Sequence, residues 1–252
     1  MPTTILGWAP RIIRLVGNSL TNMLEGVVKA FELILSGDSR VYEVTIRSLL
    51  ISGTAILLAI LWSIPIALFL GTRNYRGKLL IKGFFTAMIG IPTVGLGLVL
   101  YLVFSRAGPL GFLHLLYTPT AIIFGEAILI TPMTVSLATA AIEDIDPEIM
   151  NLARTLGASE AKASIAVLKE ASNGIFLAGI AGFNRAVAEL GVAQLVGGNI
   201  AGLTEVLTTG IALETSRGDL ELSIAWTIIL LTVVFGITLA TLTVSALQRR
   251  RK

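Results

Sequence analysis

The chain contains no cysteine, which excludes a disulfide framework, thiol chemistry and any cysteine-ligated metal centre. Histidine occurs once in 252 residues, at His114, and the carboxylates are scattered, so the residues that build a metal site are missing. Charge is scarce too. Only 14% of residues are charged, against about 25% in a typical soluble domain. Hydrophobic residues make up 54%, and mean hydropathy is +0.85. The deficit comes from long uncharged runs, the mark of a polytopic membrane protein. A net charge of +3 is too small to point to nucleic acid. The basic residues also lie at the ends of apolar runs, where membrane topology accounts for them. No G-x-x-x-x-G-K-[ST] phosphate loop occurs, so any use of ATP requires a separate chain. No removable signal peptide is expected in Met1–Leu20, because no clean apolar stretch follows Arg11 and Arg14.

A helical span needs about 20 mostly apolar residues. Ser48–Thr72, Gly83–Ser105 and Leu222–Gln248 carry no charge, and Pro119–Ile142 carries only Glu126. Ala171–Leu190 is a weaker fifth, with Arg185 and Glu189 near its end. All-helical architecture follows, since an open strand leaves backbone groups unpaired in lipid. Asn18–Ser36 differs. Glu25, Lys29 and Glu32 recur on one side, and Leu24, Val27, Val28, Phe31, Ile34 and Leu35 fall on the other. That pattern predicts an amphipathic interfacial helix within an N-terminal segment, 1–40, ahead of a membrane domain, 41–252. A sixth span over 12–36 stays open, with Glu25, Lys29 and Glu32 against it.

Lys and Arg set orientation. The loop Thr72–Lys82 holds Arg73, Arg76, Lys78 and Lys82, and the C-terminus holds Arg249, Arg250, Arg251 and Lys252. Five spans put both on one side with a polar loop, 143–170, and that side is expected to be cytoplasmic. Arg11, Arg14 and Arg40 then lie outside, against the rule. On the outer side, Gly197-Gly198-Asn199 and Ser216-Arg217-Gly218-Asp219 bracket a short Thr-rich piece, Leu203–Leu213. It reads equally as a re-entrant half-helix lining a cavity or as a surface loop. His114 falls in another outer loop and reads as solvated.

The polar island Asp146–Glu170 is the feature a lipid-embedded chain has no need of. Asp146-Pro147-Glu148 reads as N-cap, N1 proline and first-turn acid. Gly157 stops that helix, and Ser159 caps a second that leads into Ala171. Such an element either transmits force from a soluble partner or is a plain loop.

The island resembles the EAA loop of ABC-importer permeases. Ala153, Gly157 four residues later and Leu168 match that pattern. Asn151 and Leu152 replace its first two positions, and Lys169 its proline. The resemblance extends from about Leu24 onward. Gly90-Ile91-Pro92, Ser105–Gly111, Tyr117–Ala121, Gly182–Ala186, Gly197–Ile200 and Leu207–Asp219 are similar to tungstate-importer permeases. The family usually has Gly where this chain has Asn184, and commonly Gln at Glu126.

The resemblance implies a type I ABC-importer permease fold with five core helices plus the N-terminal one. It also implies a homodimer, two ATP-binding cassette subunits that hold ATP and Mg, and an extracytoplasmic tungstate-binding protein. The ATPase contact falls on Asn151, Leu152, Ala153, Arg154, Thr155, Leu156, Gly157, Ala158 and Ser159. The substrate the resemblance implies is tungstate, with molybdate or sulfate as alternatives. The chain itself is expected to hold no cofactor and no catalytic residue.

Ionisable groups within spans are functional candidates. Glu126 and Arg185 both lie on the order of 10 Å below the outer surface, so they can pair. Glu189, four residues from Arg185, competes. Arg185 reads either as a cation beside an anion route, neutralised by Glu126 or Glu189 until substrate arrives, or as half of a structural pair. Asn199, Thr208 and Thr209 can offer neutral donors to an oxyanion. Two other classes fit less well. An ion-coupled secondary transporter calls for an internal repeat and a mid-membrane carboxylate. An intramembrane enzyme calls for a nucleophile–base or metal constellation. Neither pattern occurs.

Overall fold

In a bilayer each backbone polar group must find its partner within its own segment, and the apolar runs fold accordingly into helices. The computed structural model describes residues 24–249. Helix α1 covers 24–35. There follow α2 (Ser39–Thr72), α3 (Lys78–Met88), α4 (Thr93–Phe104), α5 (Pro119–Glu143), α6 (Pro147–Thr155) and α7 (Glu160–Glu170). The last three are α8 (Ser172–Val187), α9 (Leu207–Arg217) and α10 (Leu220–Arg249). No strand occurs among the described residues.

Helices α2, α5 and α10 are each long and apolar enough to cross a bilayer. Two bent pairs, α3 with α4 at 94° and α7 with α8 at 67°, raise the number by length and composition to as many as five, each pair counted as one broken span. The run Gly83–Ser105 is therefore not the single helix its apolarity predicts. It breaks around Gly90-Ile91-Pro92, with Pro92 at the N-cap of α4. Proline has no N–H to continue a helix and pushes the preceding residue out of the α region. Pro65 and Pro132, by contrast, lie inside continuous α2 and α5. Near both, the Trp62 indole N–H donates to the Thr131 hydroxyl at 2.7 Å, tying the two helices together.

α2 and α5 run parallel as the central pair. Trp62 meets Thr131 midway, and Gly71 lies against Ile142 at the far end. α8 runs antiparallel to both, with Gly174 against Ala141, and Gly182 against Thr134 and Ile56. Small residues every fourth position (Gly174, Ala178, Gly182, Ala186) let its backbone approach closely, which is how helices associate without a hydrophobic driving force.

α1 packs through a narrow face of small residues and leaves its large apolar side chains outward, where an interfacial helix would meet lipid. Gly26 and Ala30 are buried, while Leu24, Val28, Phe31 and Leu35 are exposed. The small face packs on the start of α10, with Gly26 beside Ile224 and Lys29 paired with Glu221. The remainder of the predicted Asn18–Ser36 helix, 18–23, and Arg11 and Arg14 lie outside the described residues. The Leu203–Leu213 piece is a helix two turns long or more, displaced to Leu207–Arg217 and closed by Gly218.

Candidate functional site

The polar island forms a helical hairpin. The Asp146 carboxylate accepts from the Glu148 N–H at 2.9 Å, which starts α6 behind Pro147. Leu156 caps its end, and Gly157 turns the chain with φ +81°. The Ser159 hydroxyl accepts from the Lys162 N–H at 3.5 Å and starts α7. Leu152 and Leu156, one turn apart on α6, are 61% and 79% exposed. Together they put a small apolar patch on an otherwise polar element.

A bidentate ion pair braces the hairpin. Arg154 Nε and Nη2 reach Glu160 Oε1 and Oε2 at 2.9 and 3.0 Å. The Arg154 hydrogen bond holds the Glu160 carboxyl below the usual glutamate range. Behind α6 lies a polar cavity of about 360 Å³ whose walls include Asn74, Lys78, Glu143, Asn151 and Arg154. Lys78 and Lys82 both grip Glu143, at 2.9 and 2.5 Å. The basic loop and the hairpin thus occupy one end of the bundle.

Near the other end, the structure brings Arg185 and Glu189 together. Arg185 Nη1 bonds Glu189 Oε2 at 2.6 Å, and Glu189 Oε1 accepts from the Val192 N–H at 3.1 Å. Arg185 keeps 35% of its side chain exposed, whereas Glu189 keeps 3%. Both border a cavity of about 510 Å³ that Thr93, Gly191 and Gln194 also line. Glu126 is not the partner of Arg185. It is 1% exposed, within electrostatic reach of Arg185 and Glu189, and its Oε2 has no hydrogen-bond partner.

The predicted neutral donors are engaged locally. The Thr208 hydroxyl donates to the Glu189 carbonyl at 2.6 Å. The Thr209 hydroxyl accepts from the Val206 N–H at 3.0 Å. Asn199 Nδ2 donates to the Thr209 carbonyl at 3.4 Å. His114 is exposed, in a loop at φ +51°.

A second ionic cluster was not foreseen from sequence. Arg40 Nη2 bridges Glu205 at 3.1 Å and Glu214 at 2.5 Å. Arg217 also reaches Glu214, at 3.0 Å, and Arg47 donates to the Glu205 carbonyl at 3.1 Å. The Arg40 guanidinium lies 5.4 Å from the centre of the buried Trp226 ring, a cation–π distance. Both carboxylates are buried. The only sequence signal was two carboxylates within an otherwise apolar, Thr-rich stretch. Among the described residues no cluster of His, Cys, Asp or Glu is arranged to hold a metal.

Long apolar helices, two broken pairs, a polar hairpin at one end and an ion-paired cavity toward the other define an all-helical polytopic membrane protein. The family model for binding-protein-dependent transport system inner membrane components matches residues 63–252. The chain belongs to this family, and is a membrane transport component. It is 38% identical, over 84% of its length and 93% of the relative's, to the tungstate uptake system permease protein TupB of Peptoclostridium acidaminophilum. It is 36% identical to a probable anion ABC transporter permease protein of Haloferax volcanii, over 77% of this chain and 86% of that one. The TupB of Campylobacter jejuni is 32% identical, over 88% and 93%. In fold it is similar to an amino acid ABC transporter solved with histidines, at TM-score 0.59 and 21% identity, covering 88% of this chain and 98% of that one.

Proposed function

We propose that this chain is the permease subunit of an ATP-driven tungstate importer, with molybdate as the related cargo. The hairpin carries the transporter reading. Its outward Leu152 and Leu156, beside a glycine turn and a bidentate brace, suit insertion of 151–159 into a cleft on an ATP-binding cassette subunit. Two such subunits supply ATP and Mg, and hydrolysis is theirs. The cargo reading rests on the two similar permeases named for tungstate uptake.

In this reading the hairpin, the basic loop Arg73–Lys82 and the C-terminus face the cytoplasm, in keeping with the positive-inside rule. A second copy completes the pathway, and an extracytoplasmic binding protein delivers the anion to the α9 end. ATP binding draws the two hairpins together and opens the pathway outward. Hydrolysis resets it. Arg185 is the cation of the anion route. One of its N–H donors is tied to Glu189, and the rest of its fork is free to meet an oxyanion with bidentate geometry. Glu189 and Glu126 balance its charge between turnovers, so the anion is held weakly enough to leave. Asn199, Thr208 and Thr209 shape the route through the backbone they hold.

The test is uptake of radiolabelled tungstate by proteoliposomes holding the permease, its ATPase and the binding protein. Arg185→Gln is expected to lower uptake while the complex still assembles. Unchanged uptake dismisses the anion role. Failure of the permease to co-purify with an ATP-binding cassette protein dismisses the ATP-driven reading of the hairpin.

A further inference from the structure

We infer that α9 is a strut that sets the Arg185–Glu189 pair, and that Thr208 is its positioning residue. The inference rests on the reading of Arg185 as part of the anion route.

Helix α8 ends at Val187, so the carbonyls just beyond it have no helical partner of their own. At Glu189 that vacancy is filled from α9, where the Thr208 hydroxyl donates at 2.6 Å. The Glu189 carboxylate is fixed independently, by Val192 N–H on one oxygen and Arg185 on the other. Glu189 is therefore held at its main chain by α9 and at its side chain by the group it neutralises.

α9 is in turn fastened to α2 at both of its own ends. At its start the Leu207 N–H donates to the Ser48 hydroxyl at 2.7 Å, which satisfies one of the open donors of a helix N-terminus. At its end Glu214 pairs with Arg40. Just before it, the Glu205 side chain pairs with Arg40 and its carbonyl accepts from Arg47. Gly210 midway packs on the Trp226 ring. A helix pinned at both ends moves with α2. Displacement of α2 against α8 is then delivered through Thr208 to Glu189, and so to the Arg185 guanidinium that borders the cavity.

Thr208→Val keeps the shape and removes the donor. In proteoliposomes with the complete complex, tungstate uptake per assembled complex is expected to fall about three- to tenfold, the size of one hydrogen bond. Thr208→Ser keeps the donor and is expected to transport normally. The deciding measurement is Thr208→Val in an Arg185→Gln background, or Arg185→Lys if Gln leaves no uptake. Because Thr208 acts through Arg185, no further loss is expected there. Equal loss in both backgrounds, or no loss in the parent, overturns the strut. Should Thr208→Val fail to assemble, Arg40→Lys at the far end of α9 is read in the same way. A normal Arg185→Gln variant defeats the anion route as well. A deficient Arg185→Gln with a normal Thr208→Val defeats the strut alone.

Discussion

Arg154 closes the polar hairpin by holding both oxygens of Glu160 across the Gly157 turn. The pair lies in solvent, so its value is orientation of α6 against α7 rather than stability. Arg154→Glu is expected to weaken stimulation of the partner ATPase by the loaded binding protein. Adding Glu160→Arg is expected to restore it. Thermal unfolding of the permease is expected to change little in either variant. The pH sign follows from the lowered Glu160 carboxyl. The brace is complete above the usual glutamate value of about 4.3 and is lost as pH falls through the lowered one. Coupling is then flat between about pH 6 and 8 as far as this pair is concerned, measured as stimulated ATPase activity across that range.

Gly157 sits at φ +81° with nothing within 4 Å of where a Cβ would stand. Its role is backbone conformation, not room. Gly157→Ala and Gly157→Leu are expected to carry a similar cost, about 1–2 kcal/mol, for the left-handed conformation. Both are expected to lower ATPase coupling alike, and Gly157→Asn less. A loss that grows with side-chain size points to a steric contact with the partner instead.

Two glycines of α8 are expected to differ in tolerance. A Cβ at Gly174 meets the Ala141 Cβ at 2.5 Å, and one at Gly182 meets the Ile56 Cδ1 at 2.6 Å. The Ala141 atom is fixed to the backbone, whereas the Ile56 atom is the end of a rotatable side chain. Gly174→Ala is expected to destabilise by about 1–3 kcal/mol and Gly182→Ala by less. Ala141→Gly is expected to rescue the first. Thermal unfolding of the detergent-purified permease measures all three.

Glu143 answers two lysines at once. Lys78→Met or Lys82→Met each leaves one grip, worth about 0.2–1 kcal/mol for partly exposed pairs. Glu143→Gln removes both charges' partner and is expected to exceed either single loss. Comparing the unfolding midpoints of the three variants checks this.

The sequence made local features legible. The α5 start was readable from Thr118-Pro119, and the hairpin from Asp146, Gly157 and Ser159, because caps act within a few residues. The Arg185–Glu189 pair was readable as an i,i+4 neighbour. The break before α4 was signalled by Gly90 and Pro92 but hidden by 23 uncharged residues that satisfy the length of a span. The Arg40 cluster was out of reach, since Glu205 and Glu214 lie 165 and 174 residues away. The packing face of α1, Gly26 and Ala30, gave no signal in a hydrophobic pattern, which ranks Leu and Phe above Gly and Ala. In lipid it is the small residues that mark helix contact.

The 67° bend between α7 and α8 has a mechanical meaning. Ala171 at the corner is buried and bonded on both sides, its N–H to Val167 and its carbonyl from Ile175, so the corner is stiff. Through a stiff corner at that angle, a push along α7 resolves mostly sideways at the foot of α8. Under the proposed coupling, α8 would then be levered from its foot rather than driven along its axis like a piston. The hairpin and Arg185 would then be the two ends of one lever, with α8 as its arm.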